Sequence, residues 1–196
     1  MKHPMDYPLI YRIWQAPFAE RKVAPFLRRI ATSRPRRVLD VGCGPGTNAH
    51  HFLDCEYLGV DINPRYIELA VARYGPRFRV ADVTRDDFSG GGFWDCILVN
   101  SLLHHLPDVS VDAMLRRFPE ILSADGTVHI LELVLPDRPS VARWLARHDR
   151  GRYPRRLIRW NELLTRHLRV QSLEEYELRA GGVTFWNMLY FTGTRP

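Results

Sequence analysis

The residues best suited to chemistry cluster between positions 40 and 105. A hydrophobic run, Val38-Leu39-Asp40-Val41, passes directly into Gly42-Cys43-Gly44-Pro45-Gly46-Thr47-Asn48. Glycines in such a turn reach backbone conformations closed to other residues and let a ligand touch bare backbone. A helix opening at the turn would add unpaired N–H donors. Asp61 closes a second apolar run, Tyr57-Leu58-Gly59-Val60, and lies 19 residues beyond Gly42. That is near the spacing at which a carboxylate accepts both hydroxyls of a ribose. Strand, glycine turn, helix, second strand and acid together indicate a nucleoside-containing ligand. The spacing is G-x-G-x-G rather than the dinucleotide G-x-G-x-x-G. Asp40 beside the turn suits a cationic ligand end better than a pyrophosphate. A second group follows a later apolar run: Asn100 and Ser101, then the doublet His104-His105. A neutral histidine there could act as a general base.

These residues need a frame, and the chain alternates strand-like and helical segments. Val23, Phe26, Leu27 and Ile30 recur at helical spacing and predict a helix over about 18–31. The strands predicted in order are 37–41, 57–60, 78–80, 94–99 and 127–134, with a helix running from the glycine turn to about Leu53. Helices are expected around Ile67–Tyr74 and Val111–Phe118, and again at 140–148 and 159–168. Residues 170–192 flank Gly181-Gly182 and are strongly β in composition, which predicts an antiparallel pair closing one edge of the sheet. Such alternation specifies an α/β fold, a mostly parallel sheet with helices on both faces.

Composition sets the outer bounds. The 196 residues are 45% hydrophobic and 26% charged, enough for one packed domain and against wholesale disorder. No apolar run reaches the roughly 20 residues of a membrane helix, and the N-terminus shows no apolar signal region. Three cysteines without paired spacing suggest neither a disulfide framework nor a zinc site, so no metal is expected and a reduced cytoplasm is the default compartment. The net charge is +6, and of the basic residues only Lys2 and Lys22 are lysines. This arginine excess reads either as compositional bias or as the mark of an anionic partner.

The run Val38–Gly46 resembles motif I of the class I S-adenosylmethionine (SAM)-dependent methyltransferases. The resemblance continues through Gly59-Val60-Asp61, Ala81-Asp82-Val83, Phe93–Asn100 and Leu122–Glu132, and covers about residues 20–134. The segment Ser101-Leu102-Leu103-His104-His105-Leu106-Pro107-Asp108 is similar to the methyltransferase type 11 group, the small-molecule enzymes of the ubiquinone/menaquinone-biosynthesis kind. The resemblance implies a Rossmann-like, seven-stranded, mostly parallel sheet whose last strand is antiparallel. It implies one domain over 1–196, SAM as methyl donor and S-adenosylhomocysteine as product. Gly42, Cys43, Gly44 and Gly46 would line the methionine portion, and Asp40 would hold its amino group. Asp61 would grip the ribose, Ile62 would lie against the adenine, Asp82 and the backbone of Val83 would bind the adenine edge, and Asn100 and Ser101 would sit under the methionine.

Read from the residues alone, Asp82 also serves as a turn cap, and Asp40 as an acceptor for its own loop. Residues 1–31 are expected to form a helical lid in which Tyr11 and Gln15 face the acceptor. Residues 135–169, rich in Arg with Trp144, Tyr153 and Trp160 interleaved, are expected as a substrate-recognition insertion or else a solvated face. His104 is the candidate base, with His105 beside it at the acceptor. The acceptor expected is a small molecule, with an anionic one favoured by the arginines. A nucleic-acid methyltransferase is disfavoured, because Asn100-Ser101-Leu102-Leu103 is not the Asn/Asp-Pro-Pro-aromatic run of adenine enzymes and no Pro-Cys nucleophile is present. A non-catalytic SAM-binding protein is the alternative from another class.

Overall fold

Val38, Leu39 and Val41 are all fully buried, as a strand covered on both faces requires. In the computed structural model, which describes residues 18–196, that strand lies inside a seven-stranded sheet, third from one edge. The strands are β1 (Arg37–Val41), β2 (Glu56–Asp61), β3 (Phe78–Val80), β4 (Trp94–Asn100), β5 (Leu122–Val134), β6 (Arg169–Ala180) and β7 (Val183–Thr194). Their order across the sheet is β3-β2-β1-β4-β5-β7-β6. The first five pair in parallel, while β7 runs antiparallel to both β5 and β6. The chain reverses direction outward from β1, toward β2 on one side and β4 on the other. The carboxyl ends of those strands therefore frame the crevice where such sheets take ligands.

Among the described residues, five helices cover the sheet: α1 (Ala19–Ser33), α2 (Pro64–Tyr74), α3 (Asp108–Ile121), α4 (Val141–His148) and α5 (Leu157–Leu164). The two-residue period of the strands divides the core. Leu39, Val41, Ile97, Val99 and Ile130 pack with Met114, Leu115, Phe118 and Trp160 on one face. Val38, Cys96, Leu98 and Leu131 pack with Phe26, Phe52, Ile67 and Tyr190 on the other. Asp40 falls on that second face, where Asn48 of the loop and Tyr57 of β2 donate to it.

Two local expectations need correction. The helix expected from the glycine turn to Leu53 is absent; only a single 3-10 turn, Ala49–His51, forms there. Gly44, Pro45, Gly46, Thr47 and Asn48 are poor helix formers, and too few residues remain before β2 to repay nucleation. The fifth strand begins at Leu122 rather than 127, and passes through Asp125-Gly126 instead of turning there. Its pairing with β4 shifts register between Trp94 and Cys96. A Cβ on Gly126 would stand 2.7 Å from the Trp94 carbonyl oxygen, so glycine here admits a neighbouring strand rather than a turn. The antiparallel pair about Gly181-Gly182 forms as expected.

Candidate functional site

The loop after β1 is held open by backbone and by Asp61. Gly42 and Cys43 both donate their N–H groups to the Val60 carbonyl, at 2.8 and 3.0 Å. Gly44 donates to Asp61 Oδ2 at 2.9 Å, and Asn63 donates to Asp61 Oδ1 at 2.8 Å. Asp61 thus ties the loop to the end of β2. Gly44 has φ +56°, and nothing lies within 4 Å of where its Cβ would be. Its freedom serves both the backbone turn and the space above it.

Asp40 is fully buried. Its Oδ2 accepts from Tyr57 Oη at 2.8 Å and from Asn48 Nδ2 at 3.3 Å. Its Oδ1 is buried with no partner among the described residues. Burial pushes the carboxyl up to about 6, against the downward pull of the Tyr57 and Asn48 hydrogen bonds. A buried acceptor left unpaired is costly. A cationic group brought to the loop would relieve both the orphan oxygen and the raised pKa, which is what the ammonium of an amino-acid ligand offers.

The other donor-side residues divide. Ile62 is 64% exposed and presents an open apolar face beside Asp61. Asp82 Oδ1 accepts from the Thr84 N–H at 2.9 Å and the Thr84 hydroxyl at 2.6 Å, and those bonds hold its pKa below the usual carboxylate range. It is therefore a turn cap in this state, while Val83 turns its side chain into the core. Asn100 donates to Asn48 Oδ1 at 3.3 Å, which links the end of β4 to the loop that holds Asp40. Ser101 has φ +58° and donates its N–H to the Leu131 carbonyl at 2.8 Å. Cys43 is buried, and burial drives its thiol pKa far up, so it is no nucleophile.

Beside Asn100 and Ser101 opens a cavity of about 450 Å³. Phe18, Val23, Leu133, Leu178, Trp186 and Met188 give it an apolar wall. Glu20, Lys22, His104 and Asp149 supply charge. His104 is 2% exposed and stands between two carboxylates. Nδ1 is 2.6 Å from Glu132 Oε2, and Nε2 is 3.1 Å from Asp149 Oδ2. Burial alone would lower the imidazolium pKa, but Glu132 and Asp149 overcome it and push the group up to about 9. His104 is thus a cation at neutral pH. Burial lowers the Lys22 ammonium pKa on balance, against the upward pull of Glu132 and Asp149, and the ammonium makes no hydrogen bond among the described residues.

His105 is exposed, its ring centroid 4.3 Å from that of His104. Tyr11 and Gln15 lie outside the described residues.

Glu132, Asp149, Lys22 and Gly151 escaped the sequence reading. Glu132 carried a usable signal, a lone acid inside the buried run Val128–Val134. It accepts the Leu103 N–H as well as binding His104, which pins the loop after β4 to β5. Asp149 and Gly151 carried none, because their meaning depends on contacts made 45 or more positions away. A Cβ on Gly151 would meet His104 Cδ2 at 2.0 Å. The arginines of 135–169 largely clamp the protein itself. Arg155 is buried and donates to the Leu103, Tyr153 and Leu106 carbonyls and to Asp108. Arg156 pairs with Asp137, and Arg159 with Asp108 and Glu162.

Comparisons with known proteins bear on the family and the fold. A family model described as a methyltransferase domain matches residues 15–183. Trans-aconitate 2-methyltransferase of Methylobacterium radiotolerans is 33% identical over 121 residues, 60% of this chain and 44% of that protein. The Methylobacterium nodulans protein of the same name is 28% identical over 180 residues, 87% of this chain and 67% of that one. The chain spans about half the length of the curated relatives it matches. Among solved structures, the N-methyltransferase NodS of Bradyrhizobium japonicum with S-adenosylhomocysteine superposes with a TM-score of 0.68. The identity is 18%, with 91% of this chain and 88% of that one covered. That likeness supports the fold. Among the described residues no helix is long and apolar enough to cross a membrane.

Proposed function

This chain belongs to the methyltransferase-domain family, and from that premise we propose that it transfers the methyl group of S-adenosylmethionine to a small carboxylic acid. The observation that carries the reading is the position of Lys22. It lines a mainly apolar cavity that adjoins Asn100 and Ser101, with no hydrogen-bonding partner for its ammonium among the described residues. A cation so placed selects an anionic acceptor, and the hydrocarbon wall limits that acceptor to a small, partly apolar one. Two relatives named trans-aconitate 2-methyltransferases, proteins whose stated acceptor is an acid, point the same way.

The donor supplies a methyl group already activated on a sulfonium. The acceptor oxygen forms the new C–O bond as the electron pair of the S–methyl bond passes to sulfur, so the task of the chain is alignment and exclusion of water. Asp40 would hold the donor's ammonium through Oδ1, Asp61 its ribose, and Ile62 its adenine face. Asn100 and Ser101 would set the methionine portion at the mouth of the cavity. Lys22 would hold the acceptor carboxylate. An ionised carboxylate needs no proton removed, which fits a His104 that is itself protonated. We therefore assign His104, in the ligand-free protein, as a cation lining the cavity rather than a base. Of the segments expected to shape specificity, α1 brings Lys22 and Val23 to the cavity and the stretch after α4 brings Asp149. The wider lid with Tyr11 and Gln15 stays part of the proposal and is tested by deleting residues 1–17.

The test is a methyl-transfer assay with radiolabelled donor over panels of small acids, amines and phenols, using the wild type and Lys22→Met. Acids are expected as acceptors, with KM raised at least about tenfold in Lys22→Met and donor affinity unchanged. Lost donor affinity would place Lys22 on the donor's own carboxylate instead. Transfer to amines or phenols alone would overturn the acid reading.

A further inference from the structure

We propose that His104, His105 and Asp149 form a site for one divalent transition-metal cation of the zinc or cobalt class in the wall of the cavity. Each of the three residues offers one ligand atom, and these atoms all lie within 4.8 Å of one another. The edge from His104 Nε2 to Asp149 Oδ2 is already 3.1 Å. Zinc bonds of about 2.0–2.1 Å place tetrahedral ligands roughly 3.4 Å apart. One edge is therefore built, and the contraction that remains falls on the exposed His105. Two imidazole nitrogens and one carboxylate oxygen suit zinc, cobalt or ferrous iron rather than magnesium or calcium.

The surroundings point to a ligand as well. Glu132 is fully buried and takes the Nδ1–H of His104, with 2.6 Å between heavy atoms. A carboxylate on the far nitrogen is what orients a metal-binding imidazole and fixes its tautomer. Asp149 is fixed in turn, its Oδ2 accepting the Gly151 N–H at 3.0 Å. Gly151 lets this loop pass against the His104 ring where any side chain would collide. His104 and Asp149 both line the cavity, so a cation held there keeps open positions toward its interior.

The experiment takes the untagged full chain, stripped with a chelator, and titrates it with Co²⁺ followed by visible absorption and with Zn²⁺ in a calorimeter. One ion per chain is expected, with the d–d bands of a site of four or five ligands. His105→Ala removes an exposed ligand without touching the core, and Asp149→Asn removes the carboxylate. Each should abolish the bands while circular dichroism keeps the fold, and Glu132→Gln should weaken binding by about 10–100-fold. No binding by the wild type would overturn the site. Equal binding by His105→Ala would also overturn it and would assign the ion elsewhere, His50-His51 being the nearest alternative pair. Donor affinity, measured on the same stripped samples, separates a failed metal site from a failed methyltransferase reading.

Discussion

Asp40→Asn is predicted to make stability and donor binding respond in opposite directions near neutral pH. The fold raises the Asp40 carboxyl from its ordinary 3.8 to about 6. A raised carboxyl pKa means the folded state holds the proton more tightly than the unfolded chain. Stability therefore falls as pH rises from about 4 through 6, and the ionised form carries the full penalty at pH 7. At 1.36 kcal/mol per pKa unit that penalty is about 3 kcal/mol.

Asparagine removes the penalty but sets an amide N–H₂ where Oδ1 has no partner, at about 1–3 kcal/mol. The variant should match or exceed the wild type by up to about 2 kcal/mol at pH 7 and fall below it at pH 4. The unpaired amide costs the same at both pH values, so the difference between the two proteins should change by about 2.4 kcal/mol over that range whatever the amide costs. Urea unfolding of the ligand-free proteins at pH 4, 5, 6 and 7 measures it.

Donor binding supplies the second arm. If the donor's ammonium needs the ionised carboxylate, S-adenosylmethionine should bind about tenfold more weakly at pH 5 than at pH 7. Asp40→Asn should bind it weakly at both. A stability difference that is flat in pH would refute the burial argument. A flat wild-type affinity would refute the role given to Oδ1.

Three further outcomes are expected. His104 has its pKa raised to about 9 from 6.5, so its pairing stabilises fully below about pH 6.5 and is lost as pH rises through 9; that is about 3 kcal/mol, seen as a fall in wild-type stability from pH 7 to 10 that His104→Gln lacks. Gly151→Ala puts a Cβ 2.0 Å from His104 Cδ2; the overpacking should cost about 1–3 kcal/mol in thermal unfolding and move the His104 ring signals in NMR. Arg155→Met strips hydrogen bonds from the Leu103, Tyr153 and Leu106 carbonyls and leaves Asp108 with Arg159 alone; breaking this part-buried pair should cost about 3–5 kcal/mol by urea unfolding, and a loss under 1 kcal/mol would mean that water replaces the guanidinium.

The donor half of the site was legible because its parts are short in sequence. Gly42, Gly44 and Asp61 signal by type and spacing, and the strands that carry them are apolar runs whose bounds shift by only a residue or so. The helix read after Gly46 failed for a local reason that the same residues contain, since glycine, proline, threonine and asparagine outweighed the expected continuation. Asp82 was open to two readings, and its Thr84 hydrogen bonds are those of a cap. The arginines after β5 could be counted but not assigned, because whether an arginine meets solvent or a carbonyl is decided by chain packing and not by its neighbours in sequence.

The acceptor half has a different origin. His104 meets Glu132 from β5 and Asp149 from the loop after α4, and the same two carboxylates act on Lys22 from α1. No two of these elements are consecutive in the chain, and the fold alone brings them to one point. A histidine after β4 therefore reads as a base in sequence and as a cation in three dimensions, with the same residue type in both. The two carboxylates decide between them. Removing either one should return His104 toward neutrality, and Asp149→Asn is the cleaner choice because Glu132 also holds the Leu103 N–H. In that variant the imidazole proton at Nε2 loses its carboxylate. Its titration, followed by NMR, should move down from about 9 toward the ordinary 6.5, and only then would His104 be free to act as a base near neutral pH.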